Sequence, residues 1–426
     1  MRVAIVGSGI AGNVAARGLH AGHDITVFEA LEHVGGHTHT HAVEQDGRPY
    51  AVDTGFIVFN DWTYPRFIAL LDELGVASQP SAMSFSVRDE RDGLEYNGTS
   101  LDTLFAQRRN LLRPRFLGMV RDILRFNREA PRLLESGGGE QPLGEFLAAG
   151  GYGRAFVEQY IVPMGAAIWS TDARSMKAFP AKFFVRFFLN HGMLSVDRRP
   201  TWRVVRGGSA RYVEKLVAPF RDRIRVGTPV ESIRRWPGHV LVKARGAAAE
   251  RFDAVFLACH SDQALRLLAD PSPAEREVLS AIPYQENEAV LHTDARLMPR
   301  ARRAWAAWNY HVLRGESGRV ALTYNMNILQ GLESRTPFLV TLNRSEDIDP
   351  AHVLRRVTYH HPLYTPAGVA AQARQAELNG PLRTFFCGAY WRNGFHEDGV
   401  ASALDALAHF QQALGQGTTV PERLSA

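Results

Sequence analysis

The first thirty residues constrain this chain more than any other stretch. Arg2 to Val6 reads as a buried strand, and Gly7-Ser8-Gly9-Ile10-Ala11-Gly12 follows without a spacer. An apolar-periodic helix runs on through Val14, Ala15 and Leu19, and a second strand, Ile25 to Phe28, ends in Glu29. In such a strand–G-x-G-x-x-G–helix unit the first glycine makes the tight turn. The second lets a pyrophosphate approach the backbone, and the third lets the helix pack on the sheet. The helix N-terminus then offers unpaired N–H groups and a positive dipole end to an anion. Glu29 follows at the distance, about twenty residues, where a carboxylate accepts ribose hydroxyls. Gly7, Ser8, Gly9, Ala11, Gly12, Glu29 and Ala30 are therefore expected to hold a dinucleotide.

A chain of 426 residues has room for two domains, and 45% hydrophobic with 22% charged residues is the balance of a soluble globular protein. The formal net charge is +5. Only Lys177, Lys182, Lys215 and Lys243 are lysines, so arginine carries nearly all the positive charge. That charge permits contact with anionic surfaces without requiring it, and no nucleic-acid partner is expected. Cys259 and Cys387 are the only cysteines. They offer no disulfide framework and no paired metal-ligand spacing, which fits a reducing compartment. The first strand begins at residue 2, leaving no room for a cleaved leader, and no run of about eighteen apolar residues occurs. A cytoplasmic location is expected.

Beyond Glu29, Gly35 and Gly36 allow close backbone approach to a ligand. His37, His39 and His41 alternate, but no cysteine or carboxylate stands in register with them, so no metal is expected. Tyr50 to Asn60 is strand-like, interrupted at Gly55 where backbone can approach a flat ring. Residues 61–75 read as a helix with Phe67, Leu70, Leu71 and Leu74 as its apolar face. Met83 to Val87 and Leu94 to Tyr96 flank a turn ending in Asp92-Gly93, a hairpin signal. Residues 103–135 are helical and basic, and Pro114 starts a second helix there. Arg121, Arg125, Arg128 and Arg132 share one face, opposite Phe116, Val120, Ile123 and Leu134. Such a face is either solvated or a contact for anionic lipid headgroups. Gly137 to Gly139 is a loop. Phe179, Phe183, Phe184, Phe187 and Phe188 form either core or the wall of an apolar tunnel.

The chain then returns toward its first unit. Gly207-Gly208-Ser209 precedes a helix from Tyr212 to Phe220, and short strands follow at 224–226 and 230–233. Leu241 to Ala244 pairs with the neighbourhood of Phe252, and Ala254 to Ala258 is a continuous apolar strand of parallel-sheet type. Segments 288–292, 320–326 and 338–342 belong to a second, mostly antiparallel sheet. Thr384 to Cys387 is a strand ending in Gly388, and Asp398 or Gly399 starts a final helix. A nicotinamide enzyme does not need this second strand–glycine–helix. FAD does, because the C2 carbonyl of its ring gains from a helix N-terminus on reduction.

These stretches together resemble the flavin-containing amine oxidase superfamily, which includes amine oxidases, protoporphyrinogen oxidase and carotenoid desaturases. GGHTHT, VDTGFIVFN, TYPRF, SFSV and LEYNGTSLDTLFAQRRNLLRPRF are similar to a bacterial group found beside cyclopropane-fatty-acid-synthase-like methyltransferases. Some of that group are implicated in furan fatty acid biosynthesis. The resemblance implies an α/β fold: a Rossmann-type FAD-binding domain, 1–60 with 201–262 and 380–420, and an inserted α+β substrate domain, 61–200 with 263–379. It implies non-covalent FAD held additionally by Gly35, Gly36, His37, Thr38, Gly55, Phe56, Val230, Gly388, Asp398, Gly399 and Val400. Three departures argue against an amine: His37 where relatives have arginine, Phe395 in place of a cage tyrosine, and no lysine in Pro283 to Leu291. The expected activity is desaturation of a methyl-branched unsaturated fatty acyl chain of a phospholipid, with peripheral contact at an anionic membrane face. The alternatives are a flavin-dependent double-bond isomerase, an amine oxidase, or a non-catalytic FAD protein presenting lipid to a methyltransferase. His396, Glu397 and Tyr390 are candidates for proton handling from their position alone.

Overall fold

The computed structural model describes residues 1–135, 141–315 and 318–414. The expected Gly137–Gly139 loop, and the tail of the segment expected to close the cofactor domain, lie outside them. Arg2–Val6 is the middle strand of a five-stranded parallel sheet. Asp24–Phe28 and Ile224–Arg225 lie on one side of it, and Ala254–Leu257 and Thr384–Phe386 on the other. Buried on both faces, the central strand sends Val3 and Ile5 into one core and Ala4 and Val6 into another. The helices Ile10–Leu19, Ala210–Val217 and His396–Ala413 pack on the first face.

The second lobe is built on a seven-stranded sheet. Val353–Pro362, Tyr284–His292, Leu339–Leu342, Leu322–Asn325 and Trp308–Val312 run antiparallel in turn. Phe85–Asp89 then joins Trp308–Val312 in parallel, and Leu94–Asn97 closes the expected hairpin at the edge. Trp308–Val312 alternates apolar and polar residues, a strand signal that went unread, whereas the half-buried Val353–Pro362 carries paired polar residues that break the pattern. The expected domain boundary at residue 61 cuts through a core. Tyr64, Phe67, Leu70 and Leu71 pack with Val3, Ile5 and Phe410, so the helix Pro65–Glu73 sits on the parallel-sheet side.

A buried carboxylate ties the two lobes together. Asp53 accepts the Ser209 N–H (3.0 Å) and hydroxyl (2.8 Å), and the side-chain amide of Gln330 (3.0 Å). Burial pushes its carboxyl up to about 6 against the pull of these donors.

The arginine face departs from expectation. The helix Pro114–Glu129 stops before Arg132, which starts a separate turn, Arg132–Glu135. The buried side is Phe116, Met119, Asp122 and Phe126, so Arg125 lies near it. Its guanidinium covers the Tyr152 ring at 4.1 Å and lies 3.6 Å from Asp122, while Arg121 and Arg128 are solvated. Arg125→Gln is therefore expected to lower stability by about 0.5–2 kcal/mol, while Arg121→Gln leaves it unchanged. Chemical denaturation of the two variants checks this, and equal effects would return Arg125 to the solvent-facing set.

Candidate cofactor and substrate cavity

One cavity of about 1300 Å³ runs from the Gly7–Gly12 turn into the second lobe. It exceeds the ~300–1,000 Å³ typical of small-molecule sites. Its first wall is made where two glycine turns meet. A Cβ on Gly12 would stand 2.0 Å from the Gly7 carbonyl oxygen, and one on Gly36 would stand 3.0 Å from Gly9 Cα. Gly7, Gly35 and Gly36 have φ of 104°, 126° and 59°, a region that favours glycine. A Cβ on Gly9 would meet nothing within 4 Å, because Gly9 faces the cavity. No side chain caps the helix that begins at Ile10, so its first N–H groups remain open to an anion. Ala30 and Val230 line the same end.

Glu29 is buried there. Its Oε2 accepts the Ser8 N–H (2.9 Å) and hydroxyl (2.5 Å), and its Oε1 accepts the Leu31 N–H (2.9 Å). Glu29 thus has a fixed orientation before any ligand binds. Gly55 and Phe56 also line the cavity. Gly55 is glycine for a different reason than expected: a Cβ there would strike the His37 carbonyl oxygen at 2.0 Å. Thr38 is turned inward to bond Tyr212 (2.6 Å).

The C-terminal segment corrects several expectations. His396 is not free for proton transfer. Its Nε2 is shared by the Thr38 hydroxyl and the Tyr212 hydroxyl, both at 2.9 Å, and its ring stacks on Phe56 at 3.5 Å. Burial holds its pKa well below the ordinary value. Glu397 turns away from the cavity and caps the helix Pro65–Glu73, accepting the N–H groups of Arg66 (3.2 Å) and Phe67 (2.9 Å). Tyr390 lies at the cavity rim but packs with Trp391 into the core on the far face of the parallel sheet. Asp398 accepts the Phe395 N–H (2.9 Å) as a cap of its own helix, Gly399 makes room for Ile10, and Val400 is core. None of these three lines the cavity. Gly388, Gly394, Phe395 and the bonded His396 do.

Several lining residues were not singled out from the sequence. Cys259 and His260 follow the strand Ala254–Leu257, and the C-terminal ends of parallel strands are where ligands bind. That placement was a usable signal. His360 and His361 had none, because their strand lacks clean alternation. His37, His260, His360 and His361 together form an imidazole wall, with His37 stacked on Tyr359 (5.0 Å) and His260 on Tyr284 (4.2 Å). Burial lowers His37 to about 4 and His260 and His361 to about 3, so these three rings are neutral at pH 7. The Nε2 of His37 is buried without a partner. Burial also pushes the Cys259 thiol up to about 12, so it is no nucleophile at neutral pH.

The far end of the cavity is apolar. Met83, Met164, Trp169, Phe187, Trp308 and Phe395 contribute to it, and Phe187 packs on Phe395 at 5.3 Å. Of the expected aromatic run only Phe187 reaches the wall. Phe179, Phe184 and Phe188 are core, and Phe183 stacks on Tyr364. Tyr160 joins the wall from a wide π-helical turn, Val157–Ile161, and Ser170 from a left-handed backbone at φ 50°. Both are the kind of local irregularity found at functional sites.

Residues 10–297 match the model of the flavin containing amine oxidoreductases. Solved structures of similar fold include the cyclohexylamine oxidase of Brevibacterium oxydans IH-35A, at 17% identity and TM-score 0.70, covering 97% of this chain and 99% of that one. A CLA-producing fatty acid isomerase from P. acnes matches at 17% identity and TM-score 0.67, covering 96% and 98%. Putrescine oxidase bound to putrescine matches at 16% identity and TM-score 0.63, covering 97% and 99%. The Gly7–Gly12 turn, the uncapped start of the helix Ile10–Leu19 and the buried Glu29 at the same end of the cavity fit the FAD of a flavin-containing family.

Asp398 makes the fold sensitive to pH. Burial pushes its carboxyl up to about 7. Its contribution to stability is fully present below the ordinary carboxylate pKa of about 4 and is lost as pH rises toward 7, because the unfolded chain releases this proton first. Asp398→Asn keeps an acceptor for the Phe395 N–H and cannot ionise. Its melting temperature relative to the parent is expected to climb between those two pH values and then level off. A difference independent of pH in thermal melts would assign Asp398 an ordinary pKa.

Proposed function

The chain belongs to the flavin containing amine oxidoreductase family, and we propose that it is the FAD-dependent desaturase of an unsaturated, methyl-branched fatty acyl chain carried by a phospholipid. One observation carries this reading. Among the described residues lining the cavity Glu29 is the one carboxylate, and it lies at the dinucleotide end. An ammonium substrate would enter the apolar end without a counter-charge, and burying an unpaired charge costs several kcal/mol or more. An alkyl chain meets no such penalty among Met83, Met164, Trp169, Phe187, Trp308 and Phe395. The resemblance to a bacterial group beside lipid methyltransferases supports the same substrate class.

Bound FAD supplies an acceptor for two electrons as a hydride. The protein's part is to bind the chain, exclude water and take the proton that leaves the neighbouring carbon. Aromatic and thioether side chains exclude water from the far end. His37 offers a proton acceptor, since its Nε2 lone pair is buried and unpartnered while the ring is neutral. An existing double bond in the substrate lowers the barrier by spreading the developing charge, because an isolated alkyl carbon is not acidic.

Anaerobic mixing of the oxidised protein with a detergent-dispersed, methyl-branched monounsaturated phospholipid is expected to bleach the flavin absorbance lastingly. Cyclohexylamine and putrescine should leave it unchanged. Product without net bleaching would mean isomerisation, and bleaching by the amines alone would overturn the acyl reading. In FAD-loaded protein, His37→Ala should slow lipid-dependent bleaching at least about a hundredfold, the lower end for a general base. An unchanged rate would remove His37 from proton transfer.

A further inference from the structure

Five of the twelve large apolar side chains exposed among the described residues fall between 101 and 124: Leu101, Leu111, Leu112, Leu117 and Leu124. Leu112 is 87% exposed and Leu101 76%. A concentration of this kind marks a surface that meets something apolar. The five form one surface rather than scattered points. Phe105 packs edge-on against Phe116 at 5.7 Å, and Arg108 bonds back to the main chain of Asp102 and Phe105. The segment 101–112 is thereby held against the start of the helix Pro114–Glu129. On that helix Leu117, Arg121, Leu124 and Arg128 recur at i, i+4, i+7 and i+11, so leucines and arginines share the solvent face.

The charge on this surface is mostly positive: at its edges Asp102 pairs with Arg108 and Glu129 with Arg128. Residues 103–128 contain seven arginines and a single acidic residue, Asp122, which is buried. Arg113 and Arg115 form no ion pair among the described residues. The surface also borders the cavity. Exposed Gly98 and Thr99 line the cavity immediately before Leu101, and so does exposed Arg199, whose charge acts on the buried Tyr160 hydroxyl.

We propose that this leucine–arginine surface docks the protein on an anionic phospholipid bilayer, with its leucines among the acyl chains and its arginines at the phosphates, so that the cavity opens onto the lipid. The occupant is a bilayer because apolar and cationic side chains alternate on one face, and the two carboxylates beside them, Asp102 and Glu129, are each paired with an arginine and leave a cationic excess. Amphipathic helices that lie in the interface combine these two kinds of side chain. The inference rests on the acyl-lipid reading for its purpose, and it replaces the Arg121–Arg132 stripe as the contact surface.

The test is co-sedimentation of the FAD-loaded protein with vesicles of phosphatidylglycerol and phosphatidylcholine, against phosphatidylcholine alone. Binding is expected to the anionic vesicles at low salt, with release at high salt. Arg115→Gln with Arg121→Gln should weaken binding about thirtyfold, since each charge near an anionic leaflet contributes about fivefold. Leu112→Glu with Leu117→Glu should weaken it at least about tenfold. Both pairs are solvent-exposed and outside the cavity, so FAD content and bleaching by detergent-dispersed lipid should match the parent. Either double variant binding anionic vesicles as tightly as the parent would overturn the proposal. So would equal binding of the parent to phosphatidylcholine, or a dimer in analytical ultracentrifugation that the leucine pair dissociates. Vesicle binding that obeys these expectations, without bleaching by any lipid, would sink the acyl substrate and leave the docking surface standing.

Discussion

The structure depends on how closely two stretches of backbone approach each other. Gly12 leaves no room for a Cβ beside the Gly7 carbonyl, and Gly36 leaves almost none beside Gly9. If either contact loosened, the first helix would lift from the parallel sheet and its N-terminal donors would no longer face the cavity. The remaining cofactor features are arranged around that contact. Ser8 sits in the turn and holds Glu29, Gly35 donates its N–H to the Ser8 carbonyl (3.0 Å), and the last helix closes on Ile10 through Gly399. Steric exclusion within a few residues thus sets where a dinucleotide can lie.

From that turn the cavity changes character along its length. At the dinucleotide end lie Glu29, Arg245 and Arg266, with polar main chain. In the middle stand imidazoles that burial keeps neutral, and beyond them the wall is aromatic and thioether. Neutrality in the middle follows from desolvation, which disfavours the imidazolium more strongly than any nearby group favours it. Glu29 is the buried charge of the lining, and Arg199, Arg245 and Arg266 are its exposed ones.

Buried ionisable groups join the parts more than they serve the cavity. Asp53 fastens the hairpin formed by Thr40–Gln45 and Arg48–Asp53 to Ser209 and to Gln330 of the second lobe. Arg235, with no exposed side-chain surface, is held by Glu275 at 2.5 Å and Asp270 at 3.0 Å. Glu397 and Asp398 each close a helix end. A carboxylate at a helix N-terminus gains from the macrodipole, which offsets part of its desolvation. These pairs explain why polar residues near the site need not take part in chemistry.

The sequence by itself determined what short-range geometry encodes. A glycine spacing, an apolar run and a capping signal act within a few residues of one another, so the Gly7–Gly12 turn, the strands at 2–6, 24–28 and 254–257, the Phe85–Asn97 hairpin and the helix starting at Pro114 were legible in it. So was the division into a cofactor unit and a substrate unit, though not its boundary at Pro65–Glu73. Tertiary structure alone decided which way each side chain points. His396 lines the cavity and Glu397 follows it in sequence, yet partners 358 and 330 residues away draw them into structural bonds. Arg125 left its solvated row because Tyr152 offered an aromatic face, and His360 and His361 reached the wall through strand pairing with Tyr284–His292. Orientation at a helix end or along a half-buried strand is set by packing across the whole chain, and no local pattern carries that information.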